Sequence, residues 1–252
     1  MKTITATNRK GGTAKTATCF VLGCGLIKRG YKVLFVDLDS QCNLTYDVMG
    51  DNTSKKNALT MLLKQTTAKD SIQHTETGFD IIPGTFTLSG ADILLTGKNK
   101  EYRLKEVLAP VSKDYDFCIV DTPPQLSVLV VEALTASDGV IIPSESEIHS
   151  LQGLGLINST IQEVRKHSNL NLHILGILLT RYNRRTTISK NMSEIIEDMS
   201  CKMGTELFKT RIRNCVAVTE AETMQTSLFD YAPRSNASKD YNSFIDEVLE
   251  RL

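Results

Sequence analysis

The sequence carries no excess of charge of either sign: Lys plus Arg and Asp plus Glu each number 29 among 252 residues. A global positive field that would draw the whole chain to nucleic acid is therefore excluded, and any DNA binding must come from a local patch. No apolar run approaches ~18 residues, which excludes a transmembrane helix. The six cysteines (Cys19, Cys24, Cys42, Cys118, Cys201, Cys215) form no C-x-x-C pair. They lie mostly in apolar runs, as reduced core residues of a cytoplasmic protein do. The first strand candidate begins within a few residues of Met1, so no secretory leader is expected. There is no internal repeat, low-complexity run or long linker, and one domain is expected over residues 1–252.

What is present is an alternation of short apolar runs with longer segments of helical spacing. Strand candidates are Thr3–Thr7, Lys32–Val36, Asp80–Ile82, Phe117–Val120, Gly139–Ile142, Ile174–Leu179 and Glu206–Lys209; helix candidates include Thr16–Lys28, Leu151–Lys166 and Ser189–Met199. Nearly continuous Val/Ile/Leu strands imply a sheet buried on both faces, and the βαβ rhythm implies mostly parallel strands. Ligands of such sheets bind beyond the carboxyl ends of the strands, where Asp37, Asp39 and Asp121 fall. Gly23 and Gly25 interrupt the first helix at ~1 kcal/mol each, with close packing on the sheet as a compensation. The last segment sets Tyr241, Phe244, Ile245, Val248, Leu249 and Leu252 on one stripe. Its polar face offers Asp246, Glu247 and Glu250 against Arg251, so a helix docked on the core is expected rather than a membrane-binding tail.

The stretch Lys10-Gly11-Gly12-Thr13-Ala14-Lys15-Thr16 follows the first strand and opens the first helix. A glycine-bearing turn there aims backbone N–H groups and the helix dipole at one spot, which suits a polyphosphate. Lys15 then reaches the β- and γ-phosphates, and the Thr16 hydroxyl can ligate Mg²⁺. The common pattern G-x-x-x-x-G-K-[ST] fails at both outer glycines, where Arg9 and Ala14 stand. A second lysine, Lys10, sits near the start of the loop. The second strand ends in VDLDSQCN, whose acids either cap the next helix from Asp39 or Ser40 or serve metal and attacking water. The strand ending in FCIVDTPP places Asp121 as a Walker-B acid holding Mg²⁺ through water.

Together KGGTAKT, VDLDSQCN, FCIVDTPP and SDGVIIPSE resemble the ParA/MinD family of deviant-Walker ATPases, and TRIRNCVAVTEA and SLFDYAPRSNASKDY look like its plasmid-partition members. The resemblance implies an α/β fold, a P-loop NTPase-like, mostly parallel twisted sheet with helices on both faces, and the cofactors ATP and Mg²⁺. By position, Lys10 looks like the signature lysine that reaches the partner subunit's nucleotide. Gly11, Gly12, Thr13, Ala14, Lys15, Thr16 and Ala17 fall where the family cradles phosphates. Thr16 and Asp121 match the metal-holding residues, with Asp37 in support of the metal shell, and Asp39 matches the aspartate that positions the attacking water. Arg181, Tyr182 and Arg213 are candidates for contacts to the base. Ala14 and Ser40 depart from the family's usual Gly and Pro; should Ala14 need positive φ, strain of ~1–2 kcal/mol follows.

The run Arg181–Lys190 carries four cations and no acid, and Lys209, Arg211 and Arg213 form a second cluster. Arg181, Arg184, Arg185, Lys190, Lys209 and Arg211 are candidate phosphate contacts for non-specific DNA, against the plain reading of a solvated loop. The resemblance thus implies a homodimer formed on ATP binding, a ParB-like centromere-binding adaptor, nucleoid association in the cytoplasm, and no helix-turn-helix domain before the loop. Rival readings are a MinD-like membrane-cycling positioning ATPase, an iron–sulfur carrier of the same superfamily, and a slowly hydrolysing nucleotide-locked switch.

Overall fold

The computed structural model describes residues 1–51 and 54–252. Its strands are β1 (Lys2–Ala6), β2 (Val33–Asp37), β3 (Gln73–His74), β4 (Asp80–Ile82), β5 (Phe117–Asp121), β6 (Gly139–Glu145), β7 (His173–Tyr182) and β8 (Leu207–Arg213). They form one sheet in the order β3-β4-β2-β5-β1-β6-β7-β8. Every pairing is parallel except β3 with β4. The longer helices are α1 (Lys15–Lys28), α2 (Asn43–Met49), α3 (Val128–Ala136), α4 (Ile148–His167), α5 (Thr187–Lys202), α6 (Val216–Thr223) and α7 (Asn236–Glu250).

Alternation along the strands explains why they read as unbroken apolar runs. Val33 and Phe35 of β2, with Phe117 and Ile119 of β5, join a cluster that also holds α1 and α7. Leu34, Val36, Cys118 and Val120 join the opposite cluster, which α4 and the neighbouring strands extend through Val140, Ile142 and Ile157. Both faces are covered, so the central strands are mostly apolar, and the polar residues they do carry, such as Thr3 and Thr5 of β1, are buried as well.

The two glycines of α1 mark its closest contacts. A Cβ at Gly23 would lie 2.2 Å from the Phe35 ring, and one at Gly25 would lie 2.1 Å from Ile245 Cδ1. Close approach to β2 and to α7 is what offsets their poor helix propensity. The terminal stripe docks as expected: Tyr241, Phe244, Ile245 and Val248 are buried. Of the cysteines, Cys19, Cys24 and Cys118 are buried, whereas Cys201 is exposed, so not all are core residues.

Among the strands that run past the sequence expectation are β6, on to Glu145, β7, from His173 to Tyr182, and β8, on to Arg213. Strand β8 runs on to Arg213 because at a sheet edge only Phe208 and Ile212 need be buried, so Lys209, Arg211 and Arg213 alternate with them. The two-residue β3 has no apolar signature and pairs antiparallel with β4.

Candidate functional site

The carboxyl ends of β2, β5 and β1 lie side by side, with Asp37 opposite Asp121 and Ala6 opposite Asp121 in register. The loop from β1 to α1 therefore arches over two aspartates. Asn8, buried, pins its start: Nδ2 donates to Pro143 O at 2.7 Å and Oδ1 accepts from Lys10 N at 3.1 Å. Thr180 Oγ1 donates to Thr13 O at 3.2 Å from β7. Gly153 of α4 lets that helix approach, since a Cβ there would lie 2.9 Å from Asn8 Oδ1. Gly12 has φ +79° and Ala14 has φ 62°, ψ 35°, so Ala14 adopts the left-handed conformation as the residue before α1. The strain expected of an alanine at positive φ is present.

A cleft of about 450 Å³ opens on this loop, lined at one end by Gly11, Gly12, Ala14, Lys15, Thr16, Ala17 and Asp39. Arg181 and Arg213 also reach its lining, while Thr13 lies buried behind the loop. Lys15 is 7% exposed, and burial pulls its pKa down, with Asp121 and Asp39 opposing. Thr16 Oγ1 donates to Asp121 Oδ2 at 2.6 Å. Burial, reinforced by the Asp37 charge, pushes Asp121 up to about 7. A divalent cation would relieve that cost. The hydroxyl and carboxylate oxygens of Thr16 and Asp121 suit Mg²⁺, which keeps several waters and takes few protein ligands. Among the described residues no group of three or more His, Cys, Asp or Glu could hold a metal ion.

Asp37 is committed differently. Its Oδ2 accepts from Thr45 N at 2.9 Å and Thr45 Oγ1 at 2.7 Å, and its Oδ1 accepts from Asp39 N at 3.0 Å. It thereby ties the end of β2 to α2. Asp39 Oδ1 accepts from Gln41 N at 3.0 Å, closing an Asx turn. The helix-capping alternative for Asp39 and Ser40 is set aside, because α2 begins at Asn43 after Cys42, with no side-chain cap.

Lys10 sits on the rim of the loop. Its Nζ pairs with Glu147 and lies 3.5 Å from Glu145 Oε2, and Glu145 Oε1 accepts from Arg181 Nη1 at 3.1 Å. The candidate DNA residues divide accordingly. Arg184, Arg185, Lys190 and Lys209 are exposed, and their side chains form no ion pair among the described residues. Arg181 is held by Glu145, and the Arg211 guanidinium stacks 5.0 Å over the Tyr182 ring. Arg213 forks onto Asp240, with Nε to Oδ2 at 2.8 Å and Nη2 to Oδ1 at 2.7 Å.

Sequence reasoning passed over Asn8, Thr45, Glu145, Glu147, Asp47 and Glu222. Thr45 and Asn8 could have been marked as polar residues beside the motifs; the acids carry no local signal, because their partners arrive from distant elements.

Comparison with known proteins agrees with this architecture. The family model described as "AAA domain" matches residues 1–174. The sporulation initiation inhibitor protein Soj of Bacillus subtilis is 35% identical over 98% of both chains. The chromosome partitioning protein ParA of Caulobacter vibrioides is 32% identical, covering 100% of this chain and 95% of its own. The structure of cobyrinic acid a,c-diamide synthase from Mycobacterium smegmatis with a bound ATP analogue and magnesium superposes with a TM-score of 0.86 at 30% identity, covering 99% of this chain and 94% of its own. With the glycine-bearing loop, its two lysines and the Thr16–Asp121 pair in place, the chain belongs to the ParA/MinD family of P-loop ATPases.

Proposed function

We propose that this chain is a partition ATPase whose ATP-bound form is a face-to-face dimer that binds DNA without reading its sequence. In this reading a ParB-like centromere-bound adaptor triggers hydrolysis and release, and the protein is nucleoid-associated in the cytoplasm. The observation that carries it is the make-up of the surface around the cleft. Phe86, Leu126, Ile148, Ile188 and Val216 are exposed large apolar residues, and each follows the carboxyl end of a strand. They lie toward the end of the sheet that carries the phosphate cradle and Lys10. Exposed apolar groups gathered on one face suit a second subunit, and Lys10 is the cation such a subunit would meet. The partition names of relatives such as the Caulobacter ParA supply the cargo class.

Within the cleft, the backbone N–H groups of Gly11–Ala17 and the Lys15 ammonium would offset the triphosphate charge. Bound Mg²⁺ supplies Lewis-acid stabilisation of the phosphoryl oxygens, held by Thr16 and Asp121. Asp39, 7% exposed and with Oδ2 lacking a protein hydrogen bond among the described residues, would orient the attacking water. Asp37 would support the metal shell by holding the β2–α2 turn. Phosphoryl transfer is largely positioning and charge stabilisation, which these groups provide. Arg184, Arg185, Lys190 and Lys209, with Arg181 and Arg211 beside them, would meet DNA phosphates. Among the described residues no helix is long and apolar enough to cross a membrane. The apolar stripe of α7 is spent on the core, which disfavours a membrane-cycling role. DNA retention measured with and without ATP across a salt series tests the reading: binding should need ATP and weaken steeply with salt. ATP-independent or salt-insensitive retention would refute it.

A further inference from the structure

The end of β8 belongs to the cleft, and its position depends on one carboxylate. Ile212, Arg213, Asn214 and Cys215, with Tyr241 of α7, are part of the lining. β8 is an edge strand paired only with β7, and its register shifts between Leu179 and Tyr182, where Arg211 and Arg213 find their partners. Beyond the strand, α6 starts from Cys215 with no side-chain cap. A regular ladder and a helix cap therefore contribute little to holding this stretch. Asp240 holds it instead. It is 8% exposed and accepts three hydrogen bonds from Arg213: the backbone N to Oδ2 at 3.1 Å, Nε to Oδ2 at 2.8 Å and Nη2 to Oδ1 at 2.7 Å. Nη2 also reaches Asn236 O at 3.4 Å. Two turns further along α7, Glu247 accepts from Lys209 N at 2.9 Å and from Thr210 N at 2.7 Å.

We propose that Asp240 is a positioning residue of the nucleotide cleft: by clamping Arg213 it sets the wall from Ile212 to Cys215 before nucleotide arrives. The inference rests on the nucleotide-cleft reading above. The helix that carries Asp240 is itself anchored to another part of the lining. α1 begins at Lys15 in the phosphate loop, and α7 packs on it so closely that a Cβ at Gly25 would lie 2.1 Å from Ile245 Cδ1. Arg29, just after α1, donates to Asn242 O at 3.2 Å and to Asp246 Oδ1 at 2.7 Å. α7 thus reaches from the phosphate-loop helix to β8, and Asp240 is its grip on the strand end. A carboxylate that takes a guanidinium fork and a backbone N–H together fixes direction as well as distance. The fork turns Nε and Nη2 of Arg213 toward α7, so Arg213 acts through its position rather than as a free cation in the cleft. Nucleotide that had to order this stretch itself would lose affinity, about tenfold for one backbone residue left to be fixed. Lys15, Thr16, Asp39 and Asp121 come from α1, the β2–α2 turn and β5, so turnover at saturation does not depend on the clamp.

The test is steady-state phosphate release against ATP concentration, with displacement of a fluorescent ADP analogue for affinity and thermal melts for folding. Asp240→Ala should raise KM and weaken ATP binding about tenfold, while kcat stays within about twofold of the wild type. Asp240→Asn keeps an acceptor for Arg213 N and Nε and should recover most of that loss. Arg213→Lys keeps the charge without the fork; it should raise KM in smaller measure, and it carries the test if Asp240→Ala does not fold. Adding Arg213→Ala to Asp240→Ala should cost nothing more, because the guanidinium works through its partner. Glu247→Ala releases the same strand further from the cleft, and should lower the melting temperature with KM unchanged. A wild-type KM in Asp240→Ala and Arg213→Lys, a kcat that falls in step with affinity, an equal rise in KM in Glu247→Ala, or additive losses in the double variant overturns the inference. Failure of the wild type to bind any nucleotide overturns the cleft reading itself, and this inference with it.

Discussion

Replacing Ala14 with glycine should stabilise the protein, although glycine at the start of a helix ordinarily weakens it. Ala14 has φ 62° and ψ 35°, where the Cβ of an L-residue costs ~1–2 kcal/mol and glycine is free of the penalty. The conformation is not optional. Its carbonyl accepts from Thr18 N at 2.9 Å and from Thr18 Oγ1 at 2.7 Å, so the first turn of α1 holds it in place. Against the relief stands the greater freedom of glycine in the unfolded chain, ~0.4–1 kcal/mol. The difference leaves a gain of ~0.5–1 kcal/mol, or about 1–4 °C in melting temperature for a domain of this size. Gly12→Ala is the reverse experiment. Gly12 has φ +79° and a Cβ there would meet nothing within 4 Å, so any loss is conformational and should be of similar size. Thermal and urea melts of both variants without nucleotide read the effect. A neutral or destabilised Ala14→Gly, or a neutral Gly12→Ala, would refute the assignment of strain to this loop.

Asp39→Ala should bind ATP and DNA yet lose turnover, trapping the dimer; steady-state phosphate release at the wild-type rate would remove Asp39 from its role. Glu132 lies fully buried on α3, neither oxygen within hydrogen-bond geometry of a partner among the described residues, and burial pushes it up to about 8. The folded state then holds a proton that the unfolded state has released above about pH 4.5, so stability falls as pH rises to about 8. Urea melts of Glu132→Gln should lack that decline, and a parallel decline in both proteins would exclude Glu132 as its source. Glu147→Gln should free Lys10 and lower the ATP concentration for dimerisation about twofold by light scattering, since a partly exposed pair is worth ~0.5 kcal/mol; no shift would mean the pair does not restrain Lys10. Arg184→Glu with Arg185→Glu should leave ATP binding intact and abolish DNA retention in a gel-shift series, and unchanged retention would relocate the patch.

The central strands were legible because burial on both faces leaves an unbroken apolar run, and Phe117–Asp121 is the plainest case. Strand β8 was half legible, because an edge strand with one buried face mixes Phe208 and Ile212 with cations. The phosphate loop and Asp121 declared themselves because the chemistry needs neighbours in sequence: a turn, a lysine, a hydroxyl, and an acid at a strand end. Asp37 shows the limit of that reading. It ends β2 opposite Asp121, yet its hydrogen bonds go to Thr45 and Asp39, a commitment decided by how α2 folds back. The cation run shows another limit. Composition cannot reveal that Glu145 arrives from β6 to hold Arg181, or that Tyr182 lies under Arg211.

The two lysines of the loop differ in a way that only the fold supplies. Lys15 is 7% exposed, and burial works against its charge, so an anion placed in the cradle gains a nearly desolvated cation with little freedom left to lose. Lys10 stands on the rim with its side chain 24% exposed, held by Glu145 and Glu147. Glu147 is itself 44% exposed, and ion pairs of that kind contribute ~0–1 kcal/mol. A contact so weak sets a resting position without fixing it. Charge-assisted contacts to a polyphosphate between two subunits would be stronger, because the water that screens the present pair would be gone. On the proposed function, the fixed lysine would serve its own chain's nucleotide, and the lightly held one would be free to serve another's.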